Sequence, residues 1–133
     1  MMIRNFATLV LALNAFAPAN AQDVAAGQAL FANHCAYCHG QDAAGDGPLA
    51  GAMIIKPRDL TTLAADNGGL FPVKQVVFRI DGQQPLVSHG SPMPVFGPYF
   101  EGETAMTKAE TGQPIQTSQP IVDLVAYLES LQK

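Results

Sequence analysis

The sequence predicts an all-α fold, because two segments have the periodicity of helices with one buried face and no segment shows sustained strand alternation. The first apolar stripe, at i, i+3, i+4 and i+7, consists of Val73, Val76, Val77 and Ile80. The second consists of Ile121, Leu124, Val125, Leu128 and Leu131. A proline stands at the start of each segment, where the first helical turn tolerates it. We therefore expect helices over 72–81 and 120–131, each turning its stripe towards the core.

The N-terminal segment has the organisation of a secretory signal peptide. Arg4 supplies a positive charge, residues 6–16 are almost wholly apolar, and 19–21 read Ala-Asn-Ala, the small-x-small form of a cleavage site. The apolar run is shorter than the roughly 20 residues of a membrane-spanning helix. We expect cleavage after Ala21, export to the periplasm and no stable membrane insertion.

The remaining chain, 22–133, is predicted to form one domain. The full sequence of 133 residues has a formal charge of −4, and loss of Arg4 makes the mature chain more negative still. This balance argues against nucleic acid or an anionic membrane as a partner. The middle of the chain nevertheless carries four basic residues, which are either a docking patch or scattered solvated side chains: Lys56, Arg58, Lys74 and Arg79.

A first helix is predicted over 24–35. Asp23 is a favourable N-cap, and its charge suits the positive end of the helix dipole. Gly27 and Phe31 are four residues apart and share a face. A glycine inside a helix costs about 1 kcal/mol relative to alanine, so it needs a packing reason, such as the close approach of a second helix.

The run Cys35-Ala36-Tyr37-Cys38-His39 is a C-x-x-C-H sequence, the attachment signal of a c-type haem. The two sulfurs are close enough in the chain to reach both vinyl groups on one porphyrin edge, and the imidazole follows directly. We therefore predict one covalently bound haem c, with an iron that His39 ligates.

Three other interpretations of this run are weaker. A structural zinc site needs four ligands, whereas the chain has only these two cysteines and three histidines. A thioredoxin-like C-x-x-C would follow a strand in a β-α-β unit, and no strand pattern precedes Cys35. A disulfide remains an alternative in an exported protein.

The segments outside the predicted helices are rich in glycine and proline. Residues 40–51 read as a loop, 56–60 open a short helix, and 67–69 break the chain. Residues 83–119 mostly lack periodicity. A loop of this length is uncommon in a compact domain unless it has a task, and wrapping a cofactor is one such task.

The second axial position of the iron suits the soft thioether of methionine. Met93 is the best candidate, because Pro92 and Pro94 fix the backbone on both sides of it. The alternative role for Met93 is to fill a gap in the core. Met53 lies close to His39 in the chain and Met106 in a polar stretch. Two histidines complete the candidates: His89 competes as a ligand, and His34 is too near Cys35 to reach the opposite face of the iron.

From Asp23 onwards the chain resembles a class I (mitochondrial-type) bacterial cytochrome c. The resemblance rests on the C-x-x-C-H helix, on 45–48 (Gly-Asp-Gly-Pro), on 93–97 (Met-Pro-Val-Phe-Gly) and on the terminal helix. It implies N- and C-terminal helices that cross, with loops wrapped around one haem.

The resemblance also assigns residues. It implies thioethers at Cys35 and Cys38, His39 as the proximal ligand and Met93 as the distal ligand. A proline carbonyl, from Pro48 by spacing or otherwise Pro57, would accept the other imidazole N–H. At the helix crossing it implies contacts of Gly27 and Phe31 with Tyr127.

The expected function is single-electron transfer between protein redox partners, without catalysis by the chain itself. Two alternatives remain open: a haem-bearing subunit of a periplasmic dehydrogenase or sulfur-oxidising complex, and a ligand-binding haem sensor. The polar stretch 98–119 is longer than in small members of the family. We expect it to be a solvated excursion, with covering the haem edge or contacting a partner as the other readings.

Overall fold

The computed structural model describes residues 21–83 and 92–133. The helices are α1 (Val24–His34), α2 (Ala36–His39), α3 (Leu63–Asp66), α4 (Val73–Asp81) and α5 (Gln119–Ser130). The strands are β1 (Thr104–Lys108) and β2 (Pro114–Ser118). Short 3₁₀ turns occupy Ala50–Ala52, Leu60–Thr62 and Gly97–Tyr99. The fold is thus mostly helical, as predicted, with one small sheet that was not.

The predicted signal peptide, apart from Ala21, lies outside the described residues. Within the part of the chain that the structure describes, no helix has the length and apolar character needed to cross a membrane.

Helices α1 and α5 cross at close range. Gly27 is buried at the crossing, and a Cβ atom there would overlap the backbone carbonyl of Asp123. The rings of Phe31 and Tyr127 pack with centroids 5.5 Å apart. Asp23 caps α1, accepting bonds from the first-turn amides, and its own amide donates to the Asp123 carboxylate at 2.9 Å. The predicted cap and the packing reason for the helical glycine are both confirmed.

Helix α4 buries the predicted stripe against the rest of the core. It begins directly after its N-cap Pro72 and ends at Asp81. Its C-cap is Gly82, whose φ of +87° is the left-handed conformation that glycine adopts readily. Together α1, α4 and α5 supply the largest fully buried side chains, which are Phe31, Val77, Ile121, Val122, Leu124 and Val125.

An antiparallel hairpin replaces the solvated excursion expected within 98–119. Thr104 pairs with Ser118 and Lys108 with Pro114. Ala105, Thr107 and Ile115 are buried, while their neighbours along the strands are exposed or half-buried. The expectation of a solvated stretch was therefore wrong for 104–118, because one face of this hairpin packs against α5.

Candidate haem-binding site

A cavity of about 490 Å³ lies between the α1–α2 junction, the segment 53–63, helix α4 and the segment 92–100. It is within the size range of small-molecule and cofactor sites. Its apolar walls include Phe31, Ile55, Leu60, Leu63, Val76, Ile80, Phe96, Phe100, Leu124 and Leu128. Cys35, Cys38, His39 and Met93 all line it. The structure thus brings the predicted haem-attaching and iron-ligating residues together.

The C-x-x-C-H run forms a single tight turn. The amides of Cys38 and His39 donate to the Cys35 carbonyl at 3.1 and 2.9 Å. No disulfide joins Cys35 and Cys38, and burial, with the neighbouring Cys38 as a second cause, raises the pKa of the Cys35 thiol to about 12. Thiol-exchange C-x-x-C sites have a lowered pKa instead, so this environment disfavours the thioredoxin-like alternative.

The imidazole of His39 is oriented by a backbone carbonyl. Its Nδ1 lies 3.1 Å from the carbonyl oxygen of Arg58. Because a carbonyl only accepts hydrogen bonds, Nδ1 carries a proton, and in the neutral ring Nε2 then keeps its lone pair. Burial lowers the pKa of His39, and the bond to Arg58 partly opposes this effect. The lowered pKa favours the neutral ring, which is the form that ligates a metal.

The carbonyl that contacts His39 corrects the expectation from the family resemblance. The predicted acceptor was Pro48, with Pro57 as the alternative; the structure uses Arg58, the residue after Pro57. Pro48 is exposed and does not line the cavity. The residues just before Pro48 bind the backbone of α2 instead. The Gly45 amide donates to the His39 carbonyl at 2.7 Å, and the Gly47 amide donates to the Cys38 carbonyl at 3.1 Å.

Side-chain hydrogen bonds within residues 58–66 hold the segment that carries the Arg58 carbonyl. The Arg58 guanidinium pairs with Asp66 at 2.8 Å, and the Thr62 hydroxyl donates to the same oxygen at 3.1 Å. Asp59 accepts from the amide and hydroxyl of Thr61, at 2.8 and 2.6 Å. These contacts fix the backbone around Arg58 and thus the acceptor for His39.

The Met93 segment docks on the C-terminal end of α4. The Phe96 amide donates to the Ile80 carbonyl at 2.8 Å, and Val95 packs against Gly82. The rings of Phe96 and Phe100 stack with centroids 5.6 Å apart. His34 meets Phe100 edge-on at 5.2 Å, so this imidazole belongs to an aromatic cluster at the cavity. Met93 itself is half-buried.

The other three candidate ligands lie in different places. Met53 also lines the cavity, in the segment 53–63 that contains Arg58. Met106 is 58% exposed on β1 and does not line it. His89 lies outside the described residues. The described residues therefore offer two thioethers to the cavity, where sequence reasoning had favoured one.

The chemistry of the lining fits a haem. The described residues that line the cavity include the basic Lys56, Arg58 and Arg79 and no Asp or Glu, which suits the propionates; the Arg58 guanidinium itself pairs with Asp66. Across 21–83 and 92–133 no cluster of three or more His, Cys, Asp or Glu side chains could hold a metal ion. A haem iron needs no such cluster, because the porphyrin provides its equatorial ligands and the protein only the axial ones.

The fold and the cavity have the features expected of a small c-type haem protein. A cytochrome c family model matches residues 24–132, and the chain belongs to that family, whose members bind haem c and transfer electrons. Comparison with curated proteins and with solved structures found no match.

Proposed function

We propose that the protein is a periplasmic electron carrier with one haem c, bound covalently by Cys35 and Cys38 and ligated by His39 and Met93. The observation that carries the proposal is that these four side chains line one apolar cavity. The bound haem would supply a reversible one-electron couple at its iron.

The chain's own residues would set the properties of that couple. The Arg58 carbonyl orients His39 and raises its basicity, and a thioether ligand favours the reduced state. The apolar walls exclude water, and the cationic lining offsets the propionate charges. With both axial positions taken by protein, no site for a substrate is left at the iron, so we propose no independent catalysis.

Protein redox partners are proposed to contact the exposed apolar residues beside the cavity. Ile54 is fully exposed and Ile55 is 62% exposed, and Ile55 and Lys56 both line the cavity. Adjacent exposed isoleucines favour a small apolar contact, which suits a brief electron-transfer encounter.

The test is a spectroelectrochemical titration of the exported, purified protein, with its intact mass measured alongside. We expect a chain that begins at Gln22 and carries one haem, and a reversible titration with a one-electron slope. Cys35→Ala and Cys38→Ala should each lose one covalent link. A protein that carries no haem after expression with a haem-attachment system would contradict the proposal.

A second candidate, a lasting subunit of a redox complex, is favoured by one observation. Leu70 and Met106 are 60% and 58% exposed and line a second cavity, of about 420 Å³, beside the hairpin. Size-exclusion chromatography of the native protein separates the two candidates. Elution at the mass of the single chain supports the free carrier, and persistent co-elution with another redox protein supports the subunit.

A further inference from the structure

The side chain of Gln132, just beyond α5, binds the segment that orients His39. Its Oε1 accepts from the Ala64 amide at 2.9 Å. Its Nε2 donates to the carbonyls of Leu60 and Leu128, at 2.8 and 2.7 Å. Both donor hydrogens and one acceptor of a single amide are thus used, and two of the three bonds connect the end of α5 to residues about seventy positions earlier in the chain.

These bonds lie next to the Arg58 carbonyl. Leu60 is two residues after Arg58, and its amide donates to Ala43, in the loop that follows the C-x-x-C-H turn, at 2.8 Å. The backbone of Leu60 is therefore held twice: its amide by that loop and its carbonyl by Gln132. The backbone amide of Lys133 adds a bond to Thr61 at 3.1 Å, which does not depend on the Lys133 side chain.

We propose that Gln132 is a positioning residue for the axial histidine. By fixing Leu60 and Ala64 it keeps the Arg58 carbonyl within hydrogen-bond reach of His39 Nδ1, and so controls the orientation and basicity of the imidazole. The inference rests on the proposed function in one respect, the assignment of His39 to the iron.

Loss of this anchor has two expected consequences. The Nδ1 proton of His39 should exchange faster with solvent, because the segment that covers it opens more often. The haem midpoint potential should rise, because a weaker bond to Arg58 makes the imidazole less basic and stabilises the ferric state less. If Gln132 contributed only to overall stability, its loss would accelerate exchange throughout the protein and not at His39 in particular.

The test uses the intact haem protein with histidine labelled by ¹⁵N. Gln132→Met keeps the length of the side chain and removes its three hydrogen bonds. Gln132→Glu keeps the acceptor for Ala64 and removes both donors. Gln28→Met, at an exposed position of α1, is the matched control. Exchange of the His39 Nδ1 proton is followed by NMR in the ferrous state, together with the α5 amides and the midpoint potential.

We expect exchange at His39 to be about tenfold faster or more in both Gln132 variants, a higher potential, and unchanged exchange of the α5 amides. Gln28→Met should behave as wild type. Wild-type exchange and potential in either Gln132 variant would overturn the inference, and so would an equal acceleration of the α5 amides, which would show general destabilisation.

The same spectra separate the ligation of the iron by His39 from the positioning role of Gln132. If wild-type His39 shows no resonances shifted by the haem, His39 is not an iron ligand and both fall. If those resonances are present and the Gln132 variants change nothing, only the positioning role is wrong.

Discussion

At Gly27, a hydrogen atom occupies the place that a methyl group would need at the α1–α5 crossing. Any Cβ atom there meets the Asp123 carbonyl, which is backbone and cannot rotate away. In an isolated helix alanine is favoured over glycine by about 1 kcal/mol, so the packing effect and the intrinsic helix preference have opposite signs.

We expect Gly27→Ala to lower the free energy of unfolding by about 1–3 kcal/mol, because the helices must move apart to admit the methyl group. Denaturant unfolding of the haem protein measures this change. Gln28→Ala, at the next and exposed position, should stay within about 0.5 kcal/mol of wild type. A stabilised Gly27→Ala protein would contradict the close approach.

The sequence predicts the iron-ligating histidine but not the carbonyl that accepts its hydrogen bond. The motif predicts the ligating imidazole, because its chemistry lies in adjacent residues. The carbonyl that orients the ring lies nineteen residues further on, at Arg58, and any backbone carbonyl has the same chemistry. Spacing gave Pro48 and Pro57 as candidates; only the three-dimensional arrangement of 45–48 and 57–58 separates them from Arg58.

At the scale of elements, the segment 58–66 contains both the Arg58 carbonyl that His39 contacts and a surface ion pair between Arg58 and Asp66. Hydrogen bonds from Arg58 and then Thr62 lower the pKa of Asp66 below its ordinary 3.8. The unfolded chain therefore binds this proton more readily than the folded protein. The resulting stabilisation is present above pH 3.8 and is lost as the pH falls through the lower, folded-state pKa.

Asp66→Asn should flatten the acid limb of the stability curve. The wild type should be the more stable protein above pH 3.8, and the difference should shrink at lower pH, measured by denaturant unfolding across this range. The difference should be small, because both partners of the pair are substantially exposed. If Asp66→Asn and Glu101→Gln, at an exposed carboxylate, have the same pH dependence, the pair does not stabilise the segment.

The hairpin is expected to contribute to stability through one face. Ile115→Ala should destabilise the protein by about 2 kcal/mol or more, because Ile115 is 7% exposed and packs in the core cluster. Met106→Ala, on the opposite, 58% exposed face, should have little effect. Thermal unfolding of both variants measures the difference; equal melting temperatures would mean that the hairpin is not packed as described.

The elements divide according to how strongly their buried positions appear in the sequence. Helices α4 and α5 were predicted to within a residue or two because large aliphatic side chains mark their inner faces. The hairpin was not, since three of its inward positions are Ala105, Thr107 and Ala109, which are too small or polar to show alternation. Burial of small side chains depends on what packs over them, in this case α5, and not on their own hydrophobicity.

At the scale of the whole molecule, three helices form a frame and the connecting segments carry the site. Helices α1 and α4 each pack against α5, and the buried residues of all three belong to one core. The cavity is completed by 53–63 and by 92–100, which are distant from the C-x-x-C-H turn in sequence. Because the long-range arrangement brings both Met53 and Met93 to the cavity, the proposed function depends on which of them is the sixth ligand of the iron.

The absorption spectrum of the purified ferrous protein, before and after carbon monoxide, shows whether Met93 is that ligand. If Met93 occupies the sixth position, as proposed, wild type and Met53→Ala should be unchanged by the gas. Met93→Ala should bind carbon monoxide readily. Ready binding by the wild type would indicate an open iron site and a sensor, and binding by Met53→Ala with none by Met93→Ala would assign the ligand to Met53.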